Sequence, residues 1–396
     1  MSVATAAPTR QARLARAAVA ALFLTNGAVF FNVVPRYPQI KADLGLSNAL
    51  FGTAIAAYPI GALLAGLLAG AAIRRFRSAR LASFGIVLTT LATLAIPFAP
   101  HWVAFAAVLF VVGALDSVVD VAQNAHGLRV QRLYGRSIVN SLHGVWSIGA
   151  VLGGLMGAAA AGLEIPLGVH LSVSAVLFST IALIAYRFLL PGAEDAERTA
   201  EPTHQGGWRN FGGSAVRMLA VLGVLAACGA LVEDAGSSWG AIFMSDNLHA
   251  GAATAGLAVV ALQAAMTVGR LAGDRVVDRF GQRAVARAGG ALAAVGMGLA
   301  LAFPSVPTVL AGFALAGLGF ATLVPAAMHT ADELPGLPSG TGLTIVSWLL
   351  RGGFLLSPPL VGFLADLTSL RVGLLSVVAA GLITFVLARF LADRTR

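Results

Sequence analysis

The chain is organised around residues 115–154, which read LDSVVDVAQNAHGLRVQRLYGRSIVNSLHGVWSIGAVLGG. Two apolar segments flank a short turn that carries Arg129, Arg132 and Arg136. Both apolar segments extend beyond the quoted residues, the first towards the N-terminus and the second towards the C-terminus. Each then has about 20 mostly apolar residues, enough to cross a hydrocarbon core of ~30 Å. The pattern predicts two membrane-spanning helices that meet at a basic turn on one membrane face.

The composition of the whole chain is that of a membrane protein. Of 396 residues, 58% are hydrophobic and 11% are charged, with a mean hydropathy of +0.85, whereas soluble proteins carry about 25% charged residues. The apolar runs lack the period-2 alternation of membrane β-barrels. We predict an all-α membrane protein with twelve transmembrane helices in two pseudo-symmetric six-helix bundles. The net charge of +9 does not indicate nucleic acid, because the arginines lie in short turns.

A polar stretch divides the chain in two. Residues 191–214 hold four carboxylates among several glycines. We predict an N-terminal bundle at 1–190, a flexible linker at 191–214 and a C-terminal bundle at 215–396. The first apolar run has no signal-peptide cleavage pattern, so we expect it to remain as a span. The single cysteine, Cys228, excludes an intrachain disulfide.

The distribution of basic residues predicts the orientation. With the N-terminus inside, the inner turns and helix ends hold 22 of the 26 basic residues, and the outer loops hold three. The positive-inside rule then places both termini and the linker in the cytoplasm. We expect a multi-pass protein of a bacterial inner membrane.

The two halves share a repeated turn. The turn after the second predicted helix reads GLLAGAAIRRFRSAR (residues 66–80), and the turn after the eighth reads GRLAGDRVVDRFGQR (residues 269–283). With one gap, five positions match, and these include Arg75-Phe76 and Arg279-Phe280. Duplicated six-helix halves are typical of alternating-access transporters.

These turns resemble the signature loop G-x-x-x-[DG]-R-x-G-x-R of the major facilitator superfamily. The second copy is the better match, whereas the first has no acidic residue between Gly66 and Arg80. The resemblance implies the twelve-helix fold of that superfamily. Around the second copy we predict a cytoplasmic ion-pair network that holds the outward-facing state, formed by Arg270, Asp274, Asp278, Arg279 and Arg283.

A narrower resemblance starts from Asp120-x-x-x-Asn124, the basic turn and the run NSLHGVWSIG at residues 140–149. These residues resemble the fucose-permease-like branch of uncharacterised bacterial inner-membrane permeases. In that branch, an acidic residue four before an asparagine in helix 4 is tied to proton coupling and sugar recognition. The resemblance implies that role for Asp120.

Two later pieces of sequence support the same resemblance. Glu233 and Trp239 in the seventh predicted helix, and SPPLVG at residues 357–362 in the eleventh, also resemble that branch. The acid that fucose permeases hold in helix 1 has no clear match, because the first predicted helix offers only Asn26 and Asn32.

Asp116, Asp120 and Asn124 are spaced four residues apart, so they share one face of the fourth predicted helix. Ionisable groups are costly in hydrocarbon, and a span that keeps two of them usually uses them. We interpret this face as a cavity wall, with Asp116 and Asp120 in proton coupling. The alternative for either acid is a structural salt bridge.

His143 follows in the fifth predicted helix. Asp120 lies twelve residues before residue 132 and His143 eleven after it, so both should lie at similar depth in the hairpin. We predict that the two share a proton. The alternative is a histidine bonded to a backbone carbonyl at a helix crossing. Trp146, one turn later, is either a solute-stacking residue or a packing residue.

The second half offers fewer polar residues within its spans. Glu233 and Asp234 are adjacent and point about 100° apart on a helix, so at most one faces a cavity squarely, and we choose Glu233. The alternative places both in water near the outer mouth. Arg351 lies deep in a span and needs a partner, for which Glu233, Asp234 and Asp116 are candidates. Arg351 either binds the solute or controls the pKa of an acid. The alternative is a fixed interhelical ion pair. The predicted solute-binding set is Asn26, Asn124, Trp146, Glu233, Asp234, Gln263 and Arg351.

We predict a proton-coupled secondary transporter, a symporter of a small polar solute such as a sugar. The first alternative is an exporter of amphipathic compounds. The helix 4 and helix 5 motifs of drug antiporters are missing from the sequence, which argues against it. The second is a non-transporting sensor. The sequence holds no nucleophile triad, phosphate loop or metal-ligand cluster, so we expect no enzyme, cofactor or metal site. The expected partners are the solute, protons and the lipid bilayer, not nucleic acid, and we expect a monomer.

Overall fold

The computed structural model describes residues 9–135, 137–192, 213–334 and 341–391. Arg136 and most of the predicted linker lie outside these residues. Within them, twelve helices are long and apolar enough to cross a membrane. The predicted all-α membrane fold is therefore confirmed.

The first six spans are α1 Arg10–Asp43, α2 Asn48–Phe76, α3 Ser78–Phe98, α4 Trp102–Tyr134, α5 Ser141–Gly162 and α6 Leu167–Tyr186. The second six are α7 Ala215–Leu248, α8 Ala252–Phe280, α9 Gln282–Ala302, α10 Val306–Asp332, α11 Thr341–Leu367 and α12 Leu370–Phe390. Their lengths and high mean hydropathy suit a hydrocarbon core of ~30 Å.

Some spans are interrupted where the sequence interrupts the helical hydrogen bonds. In α1 an α-helix at Arg10–Val33 is followed by a 3-10 turn at Val34–Arg36 and a short helix at Tyr37–Asp43. Pro35 lies in that turn, and its missing N–H breaks the regular bonding. The regular helix of α1 therefore ends at Val33, and Tyr37–Asp43 forms a separate short helix.

The ends of α4 show local capping. His101 precedes the helix, and its Nδ1 accepts a 3.3 Å hydrogen bond from the backbone N–H of Ala104. At the other end, Gly135 adopts a left-handed conformation with φ of 71°, which glycine accepts without a Cβ clash. The long helix that carries the predicted acids is thus fixed at both termini.

The chain packs into two compact units. The first contains Met1–Val33 and Ala57–Glu201, and the second contains Val34–Ala56 and Pro202–Arg396. The core of the first unit includes buried side chains from α1, α3, α4, α5 and α6, such as Phe23, Ile86 and Leu142. The segment Val34–Ala56, which holds the end of α1 and the start of α2, packs with the second unit although the rest of both helices belongs to the first.

Candidate functional site

Close contact between α1 and α5 prepares the site in the first unit. A methyl group at Gly149 would overlap the backbone of Leu24, and one at Gly153 would overlap the backbone of Ala28. Gly27 faces the Trp146 carbonyl in the same way. Small residues let helix backbones approach, so polar side chains on α1 reach those on α5.

A second close crossing joins α2 to α4. A Cβ at Gly113 would overlap the backbone of Tyr58, and one at Gly61 would overlap the carbonyl of Phe110. Asp116 lies nearly one turn beyond Gly113 on α4. The crossing therefore brings the Tyr58 side chain within reach of the first predicted acid.

Asp116 is held by two donors from different helices. Asn26 Nδ2 on α1 donates to Oδ1 at 2.6 Å, and the Tyr58 hydroxyl on α2 donates to Oδ2 at 2.8 Å. Each carboxylate oxygen thus receives a hydrogen bond. Charge-assisted bonds of this kind are about twice as strong as neutral ones, and they compensate for the loss of water around the acid.

Asn26 connects Asp116 to the other side of the cluster. Its Oδ1 accepts from Trp146 Nε1 at 2.9 Å and from Gln123 Nε2 at 3.3 Å. Asn26 is 6% exposed and Gln123 is fully buried. One amide therefore joins α1, α4 and α5.

Asn124 connects Asp120 to His143. Its Nδ2 donates to Asp120 Oδ1 at 3.1 Å, and its Oδ1 lies 3.1 Å from His143 Nε2. Because an amide oxygen only accepts, His143 Nε2 is the donor in this arrangement. Asn124 thus lies between Asp120 and His143, the two residues predicted to share a proton, and the ring of Phe23 packs edge-on against His143.

We call this network the polar relay and define it by Asn26, Tyr58, Asp116, Asp120, Gln123, Asn124, His143 and Trp146. The sequence predicted all but Tyr58 and Gln123. Gln123 lies three residues after Asp120, which is a helical neighbour. Tyr58 precedes Pro59 in an otherwise apolar span, and only the crossing at Gly113 reveals its partner.

The second unit holds a smaller group of polar side chains on α7 and α8. Arg270 Nη2 lies 3.2 Å from Glu233 Oε2, with the Glu233 side chain 16% exposed. Asp234 Oδ1 accepts from Ser238 Oγ at 3.0 Å. Gln263 is 1% exposed, and its Nε2 donates to Ser237 Oγ at 3.4 Å. The Glu233–Arg270 ion pair therefore joins a residue predicted for solute binding to one predicted for the ion-pair network.

Arg351 is exposed on α11, and the described residues provide it with no hydrogen bond or ion pair. The acids considered as its partners have other contacts. Glu233 pairs with Arg270, while Asp116 accepts from Asn26 and Tyr58. Within the described part of the chain, Arg351 therefore does not form the fixed ion pair that was one of its predicted roles.

The repeated turns share geometry as well as sequence. The Arg75 guanidinium lies 5.5 Å from the centre of the Phe76 ring, and Arg279 lies 5.4 Å from that of Phe280. Of the other residues predicted for the ion-pair network, Arg283 Nε donates to the Leu391 carbonyl at 2.7 Å. Asp274 and Asp278 are exposed on α8.

Trp239 connects the two later pieces of sequence that carry the narrower resemblance. It is fully buried, and its ring centre lies 6.1 Å from that of Phe51. A Cβ at Gly362, in the SPPLVG run of α11, would lie 3.0 Å from the same indole. Trp239 is a packing residue of the second unit.

Twelve spanning helices, counted over the described residues, define a polytopic membrane protein, and the match to a transporter family identifies it as a transporter rather than an enzyme. The chain belongs to the major facilitator superfamily, whose family model matches residues 19–239 and 219–396. This membership confirms the resemblance seen in the repeated turns.

Similar proteins and structures agree with this membership. The uncharacterized transporter y4wD of Sinorhizobium fredii is 30% identical over 367 residues, covering 91% of this chain and 95% of that protein. The membrane protein MosC of Rhizobium meliloti is 32% identical over 387 residues, covering 97% and 91%. The nucleoside transporter NupG has a TM-score of 0.73 at 13% identity, covering 96% and 98%. FucP in the outward conformation has a TM-score of 0.62 at 16% identity, covering 96% and 99%.

Proposed function

We propose that this transporter is a proton-coupled symporter of a small, polar, hydroxyl-bearing solute. The observation that carries the proposal is the polar relay, which connects two carboxylates and a histidine through amides across four helices. Ionisable side chains within spans are usually part of ion or substrate pathways. In this proposal Asp120 and His143 exchange the coupling proton, with Asp116 as the second acid.

Asn124 supplies a physical link between protonation and structure. It donates to Asp120 while it accepts from His143. A proton added to Asp120 Oδ1 weakens that oxygen as an acceptor, so the Asn124 amide loses one of its two bonds to Asp120 and keeps the 2.9 Å bond to the backbone carbonyl. The same carboxamide orients His143, so a proton gained at one end changes the hydrogen bonding at the other.

The solute class follows from the polar groups that the relay offers. Trp146 supplies a partly exposed aromatic face and Asn124 a partly exposed amide, which suit a ring that carries hydroxyl groups, while the buried Asn26 holds the indole in place. In the second unit, Glu233, Asp234 and Gln263 offer further acceptors. The fold of the nucleoside transporter NupG, which this chain shares at low identity, supports a polar organic solute.

Orientation and location complete the proposal. The turns after α2 and α4 and the start of α1 carry most of the arginines of the first half. Under the positive-inside rule, that face and both termini are cytoplasmic in a bacterial inner membrane. The protein then acts as a monomer whose partners are the solute, protons and lipid.

The test starts by finding the solute. Purified protein is screened by thermal shift against sugars, nucleosides and organic acids, because a bound ligand stabilises the native state. In proteoliposomes, Asp120→Asn is expected to abolish accumulation driven by a pH gradient while solute counterflow continues. Glu164→Gln, which neutralises an exposed loop carboxylate of the same unit, should accumulate solute normally.

Two outcomes contradict the proposal. Gradient-driven accumulation by Asp120→Asn would show that this acid does not carry the coupling proton. Wild-type efflux of amphipathic compounds without uptake of any polar solute would favour the exporter.

A further inference from the structure

A cavity of about 700 Å³ lies in the first unit, apart from the polar relay. It opens at the face where α1 begins, α2 ends and α6 ends. Five arginines line it, and no acidic residue does so among the described residues. We call it the arginine cavity, and its cations are Arg10, Arg77, Arg80, Arg129 and Arg187.

The cations of the arginine cavity are fixed to different degrees. Arg129 is only 2% exposed, and its Nη2 donates to the Pro191 carbonyl at 3.1 Å. Arg77, Arg80 and Arg187 are exposed. The three exposed cations, Arg77, Arg80 and Arg187, bring like charges to one cavity, which is unfavourable unless an anion compensates them. The arrangement therefore suits a ligand that carries a phosphate group, which arginine binds through paired hydrogen bonds.

The backbone of Arg77 is a second, independent observation. Its φ and ψ are 75° and 145°, a conformation found almost only at glycine. The matching position of the second repeated turn is Gly281, with φ and ψ of 81° and 152°. The fold thus requires this conformation in both units, and the first unit places an arginine there. The strained backbone holds its side chain at the edge of the cavity.

An apolar groove of about 280 Å³ adjoins the arginine cavity, and Arg80 lines both. Phe76, Phe84 and Leu88 lie along the groove and are 51%, 44% and 53% exposed. We call it the apolar groove. A free phosphate ion gains nothing from contact with an apolar surface, whereas a phospholipid acyl chain packs against it.

We propose that the arginine cavity binds the phosphate headgroup of an anionic phospholipid, whose acyl chain lies in the apolar groove. Basic pockets between helices at the cytoplasmic face are suited to such headgroups. Arg80, which lines both the arginine cavity and the apolar groove, then lies beside the junction of the lipid headgroup and its acyl chain. The site is independent of the transported solute and of the polar relay.

The test uses the full-length protein, purified in detergent and stripped of lipid. Dioleoyl phosphatidylglycerol, dioleoyl phosphatidylcholine and inorganic phosphate are added separately, and binding is followed by native mass spectrometry and thermal shift. Phosphatidylglycerol is expected to remain bound and to raise the unfolding temperature. Phosphatidylcholine and inorganic phosphate at equal concentration should do neither.

Matched variants separate the cavity from general surface charge. Arg77→Gln with Arg80→Gln should weaken phosphatidylglycerol binding roughly thirtyfold. Arg74→Gln with Arg132→Gln removes the same charge from the same unit at residues that line neither the arginine cavity nor the apolar groove, so its affinity should stay within about twofold. Arg77→Gly removes the cation and also relieves the backbone, so it keeps the test valid if Arg77→Gln folds poorly.

The groove has its own test. Leu88→Trp fills the apolar groove. It should weaken the binding of dioleoyl phosphatidylglycerol and leave the binding of short-chain dihexanoyl phosphatidylglycerol unchanged. Equal binding of phosphatidylcholine, equal binding of inorganic phosphate, or wild-type affinity in the Arg77→Gln/Arg80→Gln variant would each overturn the proposal. So would phosphatidylglycerol binding that appears only after Glu194→Gln and Asp195→Asn, because linker carboxylates would then be the natural occupant.

Discussion

The amide of Asn26 on α1 donates a 2.6 Å hydrogen bond to the carboxylate of Asp116 on α4. The oxygen of the same amide accepts from Trp146 Nε1 on α5. A change of charge on Asp116 therefore alters the amide that also holds the indole. This single side chain connects the acid to the indole for which we propose solute binding.

Asn26 and Asn32 on α1 provide a matched pair of substitutions. Asn32 is 1% exposed and contacts His170 Nε2 at 2.8 Å and Ser174 Oγ at 2.6 Å, outside the polar relay. Asn26→Ala should lower uptake at least about tenfold, the equivalent of one 1.4 kcal/mol interaction. Asn32→Ala should cost about 1–3 kcal/mol of stability, because it leaves buried partners unpaired, with normal uptake per folded molecule. Uptake in proteoliposomes and thermal unfolding in detergent check both, and the reverse pattern would contradict the assignment.

Tyr58 tests a contact that the sequence pattern does not reveal. Tyr58→Phe removes the 2.8 Å hydrogen bond to Asp116 and keeps the ring against Phe30, whose centre lies 4.7 Å away. A hydrogen bond to a charged group contributes about 1.5–3 kcal/mol, so uptake should fall by about one order of magnitude or more. Tyr134→Phe, which loses a 3.0 Å bond with Arg16 at the end of α4, should transport normally. Equal losses in both variants would point to stability instead.

The fold could be predicted because spanning helices depend on local apolar runs. The four-residue spacing of Asp116, Asp120 and Asn124 is likewise local, and it suffices to place all three on one helix face. The contact of Asp116 with Tyr58 could not be predicted, because Tyr58 reaches it only where glycines let α2 and α4 cross closely, whereas Gln123 is a neighbour of Asp120 on the same helix. The surroundings of Arg351 could not be predicted for a similar reason, since the rotation of a helix about its axis is not encoded in hydropathy.

The Glu233–Arg270 pair can be tested by a double-mutant cycle. Glu233 is mostly buried and Arg270 is about one-third exposed, so solvent screening limits the pair to about 1 kcal/mol of coupling. Glu233→Gln and Arg270→Gln each remove the same 3.2 Å contact, so the loss of stability in the double variant should be smaller than the sum of the two single losses by about that coupling energy. Thermal unfolding of the four proteins gives the coupling energy. A double variant that simply sums the two single losses would mean that the residues do not interact.

Asp366 caps the start of α2 within the second unit. Its Oδ1 accepts from the backbone N–H of Asn48 at 2.9 Å, and its Oδ2 accepts from that of Ala49 at 2.8 Å. Asp366→Ala removes both capping bonds and should cost about 0.5–2 kcal/mol. The control is Asp246→Ala, which breaks an exposed 2.9 Å ion pair with Lys41 and should cost at most about 1 kcal/mol. Thermal unfolding at low and high salt compares them, and a larger loss at Asp246 would contradict the capping role.

Arg77 and Gly281 occupy the same backbone conformation in the two repeated turns, so opposite substitutions should have opposite effects. Gly281→Ala places a Cβ at φ of 81° with no neighbouring atom within 4 Å, and the loss of about 1–3 kcal/mol should come from backbone strain alone. Arg77→Gly relieves that strain, although the more flexible unfolded chain offsets about 0.5–1 kcal/mol of the gain. Unfolding temperatures in detergent without anionic lipid should therefore fall for Gly281→Ala and rise slightly for Arg77→Gly. A fall in both would mean that the Arg77 side chain stabilises the unit by more than its backbone costs, even without a bound anion.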